Sequence, residues 1–186
     1  MQGDGGCTPG NDEALLVSAA TDPTHFATLY ARYLPRISRY LLHHVATSQD
    51  AEDLAATVFA RALAGAARYR GEGSVAAWLF SIARHCLSDH YRRTRPMMDI
   101  AATAVPLAST EASVEDQVLT QERMAMLTQF VAALPSEQRE AVLLRFVGQL
   151  RTAEVAQVLG RSEAATKMLV HRAMCALRAR YASEED

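Results

Sequence analysis

TAEVAQVLGRSEAATKMLVHRAMCAL, residues 152–177, is the stretch on which the reading of the fold turns. Val155, Ala156 and Leu159 recur at helical spacing, and a three-residue turn, Gly160-Arg161-Ser162, follows them. The spacing predicts a short helix over 152–159 and a long one from Glu163 to about Ala182, which is helix-turn-helix organisation. The long helix has a narrow inner stripe of Thr166, Val170, Ala173 and Leu177. That stripe leaves Glu163, Ala164, Lys167, Met168, His171 and Arg172 facing outward. A recognition helix lays such N-terminal side chains on base edges in the major groove, where Lys or Arg bonds guanine and small apolar groups meet the thymine methyl. Paired helices with a glycine turn are also generic packing units, so other parts of the chain must decide.

Upstream, Val114 to Leu134 reads as a helix that Pro135 cannot continue, and Ser136 supports a new helix with Val142, Leu143, Phe146 and Val147 inside. Gly148 ends it. Residues 96–113 are mostly Ala, Ser, Thr, Pro and Met without a sustained period, which predicts a linker. Before the linker, Asp12 is placed to cap a short helix through Ala20, leaving residues 1–11 as a mobile tail. Asp22-Pro23 repeats a start signal for a helix that carries Phe26, Leu29, Tyr30, Tyr33, Ile37, Tyr40 and Leu41 on one face and is interrupted by Pro35. Asp50 with Asp53 resembles a capping arrangement for a helix to about Ala67, with Leu54, Val58, Phe59, Ala62 and Leu63 inward. Ser74 caps a third long helix, with Trp78, Leu79, Ile82, Ala83 and Leu87 buried, that ends in Tyr91-Arg92-Arg93-Thr94-Arg95. Three helices thus make the core of a first domain.

Composition agrees with an all-α chain of two small domains. Of 186 residues 49% are hydrophobic and 22% charged, which excludes a disordered chain. Only 9 Gly and 6 Pro, with 6% aromatics, argue against a turn-rich all-β architecture. The net charge of −2 excludes a bulk polycation but hides segregation. Residues 26–95 carry +5 and residues 126–182 carry +4, between acidic segments, as suits a chain that meets nucleic acid at two places. All but one of its 19 basic residues are Arg, the exception being Lys167.

No run of about 18 apolar residues suggests a membrane span, so a cytoplasmic protein without membrane insertion is expected. Cys7, Cys86 and Cys175 are far apart and odd in number, suggesting neither a disulfide framework nor a zinc site; Cys86 and Cys175 are expected to pack on helices. The adjacent His43 and His44 diverge on a helix and read as interior or interface residues. No phosphate loop, H-E-x-x-H pair or nucleophile elbow occurs, so no catalytic residue, metal ligand or cofactor is expected, and the chain is not read as an enzyme.

Two blocks of residues resemble the bacterial RNA polymerase sigma factors of the extracytoplasmic function (ECF) group, in the sigma-70 family. Phe26-Ala-Thr-Leu29-Tyr30, Asp50-Ala51-Glu52-Asp53-Leu54 with Val58-Phe59, and Trp78-Leu79-Phe80 through Arg84 are similar to the family's region 2. Leu134-Pro135, Arg139 through Leu143, Glu154 through Ser162, and His171-Arg172-Ala173 are similar to region 4. The resemblance covers residues 26–95 and 114–182 in the family's order. It divides the chain into a tail (1–11), a region 2 domain (12–95), a linker (96–113), a region 4 domain (114–182) and an acidic tail (183–186).

The resemblance implies a promoter-specificity subunit that binds RNA polymerase core and directs initiation at minus-35 and minus-10 elements. Asp50, Glu52, Asp53, Leu54 and Phe59 would meet the core at its largest-subunit clamp helices, with the flap as a further contact; the acidic trio also suits a bare helix N-terminus. Tyr69 and Arg70, in the loop to Ser74, would capture a base of the melted minus-10 strand, although Tyr69 serves equally as a loop anchor. Arg84, His85, Arg92, Arg93 and Arg95 would track phosphates. Arg161, Ser162, Glu163, Ala164, Lys167, Met168, His171 and Arg172 would meet the minus-35 element. Ala165, Met168 and Leu169 depart from the family's usual Thr, Ser and Arg, and Ala56 from its usual Gln, which points to a different minus-35 sequence or fewer phosphate contacts. The family is commonly held by anti-sigma factors, so such an antagonist is among the partners the resemblance implies. The alternative is a stand-alone helix-turn-helix regulator, which accounts for residues 126–182 but leaves the first block unexplained.

Overall fold

Asp22 and Pro23 open a helix as the sequence predicts. In the computed structural model, which describes residues 9–19, 22–69, 71, 73–94 and 114–184, helix α2 (Pro23–Leu42) starts with the Asp22 carboxylate accepting from the Thr24 amide at 2.9 Å. The next two long helices are α3 (Ser48–Gly65), continued by a 3-10 turn at Ala66–Arg68, and α4 (Val75–Thr94). Together with α1 (Pro9–Ser18) they form the amino-terminal bundle. The carboxyl-terminal bundle holds α5 (Val114–Ala132), α6 (Ser136–Val142) with a π turn at Leu143–Val147, α7 (Thr152–Leu159) and α8 (Glu163–Glu184). The linker 96–113, residues 1–8 of the expected tail and Cys7 lie outside the described residues.

Several local expectations are corrected. Asp12 does not cap α1, which starts three residues earlier at Pro9; its carboxylate is buried and accepts from the Tyr33 hydroxyl and the Arg32 guanidinium. That network ties α1 to α2, a tertiary role that a capping pattern does not reveal. Thr47, not Asp50, caps α3: its Oγ accepts from the Asp50 amide at 3.0 Å and donates to the Asp50 carboxylate at 2.6 Å. Pro35 does not break α2, because it lies on the solvent face, where a missing amide donor costs least. Leu63 and Phe146, expected inside, are 51% and 52% exposed, and Cys175 is exposed on α8. The Ser74 cap holds, its hydroxyl accepting from the Ala77 amide at 3.1 Å.

The two bundles share one apolar core. Leu29, Tyr33, Ile37, Val58, Leu79, Phe80 and Ala83 of the first are continuous with Ala141, Leu144, Leu150, Val155 and Val158 of the second. Burying each large side chain contributes about 1.5–3 kcal/mol, so the shared core favours contact between the bundles. A second cluster, Phe130, Leu134, Val142, Ala173 and Leu177, seats α8 on α5 and α6. Three of the four residues of the expected inner stripe of α8, Thr166, Ala173 and Leu177, are buried; Val170 is half-buried.

Candidate nucleic-acid interface

The turn between α7 and α8 follows from its residues. Gly160 takes the left-handed conformation (φ 64°, ψ 36°), which a side chain disfavours, and lets the Arg161 amide bond back to the Ala156 carbonyl at 2.9 Å. Ser162 then accepts from the Ala165 amide at 3.2 Å, and the buried Thr166 hydroxyl donates to the Ser162 carbonyl at 3.0 Å. This fixes α8 with Glu163, Ala164, Lys167, Met168, His171 and Arg172 all exposed on its outer face. Arg161 pairs with Glu137, and Lys167 Nζ lies 3.0 Å from Glu163 Oε1. Both pairs are exposed and worth at most about 1 kcal/mol, so a phosphate or base can displace either carboxylate.

The Tyr69–Ser74 loop is anchored. The Tyr69 hydroxyl donates to the Gly73 carbonyl at 2.7 Å, and its half-buried ring lies 5.4 Å from the Trp78 ring between centroids. Gly71 and Gly73 both take positive φ (72° and 90°), which lets the loop close on itself. Arg70 and Arg95 lie outside the described residues. His85, Arg92 and Arg93 are exposed on α4, with Arg92 paired to Asp89. Glu52 and Asp53 are exposed on α3, whereas Asp50 is half-buried in the Thr47 cap. Leu54 and Phe59 are buried in the core, so they support the helix and do not form its outer surface.

Arg84 is engaged by the other bundle. Its Nη1 donates to the Val158 carbonyl at 2.7 Å, and its Nε lies 3.2 Å from Glu140 Oε1. Glu140, not singled out by the sequence, is the centre of this contact. Its carboxylate also accepts from the Tyr40 hydroxyl at 2.6 Å and faces His44 Nε2 at 2.9 Å. His44 Nδ1 lies 2.8 Å from the Tyr40 carbonyl, so each ring nitrogen faces an oxygen. At the far side of the contact, Arg36 donates to the carbonyls of Gly148 (2.8 and 3.0 Å) and Gln149 (3.1 Å). His44 is thus an interface histidine, as the sequence led one to expect. Its partner Glu140 lies 96 positions away, beyond the reach of any local pattern.

The environment of Glu140 has a pH consequence. Burial alone would push its carboxyl up, but the hydrogen bond and charge of His44, the Tyr40 hydroxyl and Arg84 outweigh it and hold the group below 4.5. A carboxyl depressed in the folded state contributes stability above its unfolded value, which is lost as pH falls through the folded one. Thermal unfolding of the wild type should therefore decline more steeply than that of Glu140→Gln as pH is lowered from about 4.5. Parallel curves would show that the carboxylate adds nothing to folding.

Among the described residues no group of three His, Cys, Asp or Glu side chains is placed to hold a metal ion, and no helix is long and apolar enough to cross a membrane. Helix-turn-helix geometry on one bundle, beside a second bundle with an arginine-bearing helix and an aromatic, glycine-rich loop, defines a two-part helical DNA-binding protein. Sigma-70 region 2 matches residues 29–96 and sigma-70 region 4 matches residues 124–177. The ECF RNA polymerase sigma factor BldN of Streptomyces coelicolor is 37% identical over 152 residues, covering 80% of this chain and 57% of its own length. The RNA polymerase sigma factor YlaC of Bacillus subtilis is 30% identical over 152 residues, covering 81% of this chain and 88% of its own.

Solved structures share the fold. CnrH in complex with the cytosolic domain of CnrY aligns at a TM-score of 0.70 and 22% identity over 93% of this chain and 98% of that one. The sigma factor RpoE in complex with the anti-sigma factor NepR from Bartonella quintana aligns at 0.64 and 21% over 83% of this chain and 94% of that one. The chain belongs to the sigma-70 family, in its ECF group. It is a sigma factor, whose function is to bind RNA polymerase core and promoter DNA.

Proposed function

We propose that the chain reads paired promoter elements, with α8 in the major groove at the minus-35 element and the amino-terminal bundle holding the melted minus-10 strand. The observation that carries this reading is the division of α8. Thr166, Ala173 and Leu177 are buried against the bundle, while Lys167, Met168, His171 and Arg172 stand outside at the spacing of a groove-reading face. The same division on α3 leaves Glu52 and Asp53 outside for basic residues of the polymerase clamp helices, with the flap as the second core contact. An anti-sigma factor fits as the antagonist of these surfaces, because CnrH and RpoE, which share the fold, were solved with such partners or a cytosolic domain bound.

Co-elution with polymerase core and run-off transcription from the cognate promoter test the reading. Lys167→Ala should lower transcription about tenfold, the size of one lost bidentate or phosphate contact, and leave core binding unchanged. Asp53→Arg should weaken core binding, and unchanged affinity would reduce the acidic trio to a helix start. A wild-type chain that fails to co-elute with core would favour a stand-alone regulator.

A further inference from the structure

Helix α1 brings a carboxylate to the Tyr69–Ser74 loop. It packs on α2, on α4 and on the 3-10 turn that leads into the loop, with Leu16 fully buried as its anchor. Asp12 faces inward and is taken up by Tyr33 and Arg32, whereas its neighbour Glu13 is half-buried and stands against the loop. A Cβ on Gly71 would lie 2.7 Å from Glu13 Oε1. Burial, followed by the Glu13 charge, pushes the pKa of the Tyr69 hydroxyl up. Glu13 lines one hollow with Tyr33, Gly73, Ser74 and Val75. Among the described residues no donor is bonded to its carboxylate.

We propose that Glu13 sets the base preference of this loop, its carboxylate accepting a hydrogen bond from the exocyclic amino group of an unstacked base and thereby rejecting thymine. This role rests on the promoter-reading function proposed above, in which the amino-terminal bundle holds the melted minus-10 strand. An ionised carboxylate accepts hydrogen bonds and donates none. Cytosine, adenine and guanine each carry an amino group that can meet it, whereas thymine carries none and presents carbonyl lone pairs on both sides of its ring N–H. Facing a strand of phosphates, a carboxylate without a donor also repels. Selectivity follows from that penalty, which an amino-bearing base relieves and thymine leaves in place.

The test uses holoenzyme assembled from the full chain on the cognate promoter, premelted over the minus-10 element so that base pairing does not enter. In separate templates each non-template base of that element is replaced by an abasic site or by its analogue without the exocyclic amino group. The analogues are uracil for cytosine and hypoxanthine for adenine or guanine. For the wild type, removal of the amino group at a single position should lower run-off transcription about tenfold. Glu13→Ala should shrink that ratio to within about twofold and leave the other positions unchanged. Glu13→Gln should shrink it as well, by raising transcription from the uracil or hypoxanthine template, because its amide offers the new carbonyl a donor.

A wild type indifferent to every amino group, yet sensitive to an abasic site, would overturn the role of Glu13 and leave the minus-10 reading standing. Indifference to every abasic site as well would sink that reading, and the role of Glu13 with it. Variants that keep the wild-type ratio would overturn base selection by Glu13. So would equal losses on all templates, which would reduce the residue to a support of the loop. If Glu13→Ala folds poorly, the isosteric Glu13→Gln decides by the same ratio.

Discussion

Phe80→Ala should lower the free energy of unfolding by about 3–5 kcal/mol, the range for deleting a buried aromatic ring. Phe80 has no exposure and lies where the bundles meet: its ring is 5.3 Å from that of Tyr40 between centroids, with the Arg36 guanidinium 5.9 Å from its centre. Gly148 is close-packed on the same ring, so that a Cβ there would stand 2.8 Å from a ring carbon. The cavity left by alanine would thus open toward both bundles, and neither can collapse into it without moving the other. Denaturant titration followed by circular dichroism measures the loss. A cost near 1 kcal/mol would mean that the bundles reseat freely and that the shared core is weaker than its burial suggests.

Ala173→Asp should detach the recognition helix. Ala173 has no exposure and sits among the apolar side chains of Phe130, Leu134, Val142 and Leu177. An uncompensated buried charge costs about 3–5 kcal/mol, which is most of what a small bundle can supply. The expected result is loss of duplex promoter binding and loss of amide protection in residues 163–184, with protection of α2, α3 and α4 retained. Duplex binding at wild-type affinity would show that α8 does not need this seat to present Lys167 and its neighbours. Exposed Ala164, the second residue of α8, is the matched control: the same substitution there buries nothing and should leave stability within about 0.5 kcal/mol.

Most helices were legible because each announces itself locally. Asp22-Pro23, Ser74, Gly148 and Gly160 act through the chain within four residues of themselves, and the structure keeps all four boundaries. The inner stripe of α8 was legible for the same reason, since a period of 3.6 residues sorts side chains before any partner is known. The errors share a different cause. Asp12 looked like a cap because capping and tertiary bonding use the same acceptor, and only the positions of Tyr33 and Arg32 distinguish the two; Asp50 looked like one because Thr47, three residues before it, carries an equally suitable oxygen. Leu63 and Phe146 looked buried because apolar residues at helical spacing do not say where the apolar face ends.

At the candidate site, the exposure of Lys167, Met168, His171 and Arg172 was readable, whereas the engagement of Arg84 was not. Arg84 follows the helical pattern of a phosphate-tracking face, and nothing near it in the chain marks Glu140 or the Val158 carbonyl as its partners. Tyr69, open between stacking and anchoring, is anchored by a bond to Gly73 that a four-residue spacing allows but does not require.

The amino-acid sequence by itself determined an all-helical chain, the order of its two blocks, the helix-turn-helix and the family to which they belong. These depend on interactions between residues a few positions apart, which periodicity and turn chemistry record directly. Only the tertiary structure decided that the two bundles share a core and that Tyr40, His44, Arg84 and Glu140 meet at one point. Those residues come from three helices and the turn after α2 and are separated by up to 100 positions, so what brings them together is the burial of faces that no local pattern matches to one another.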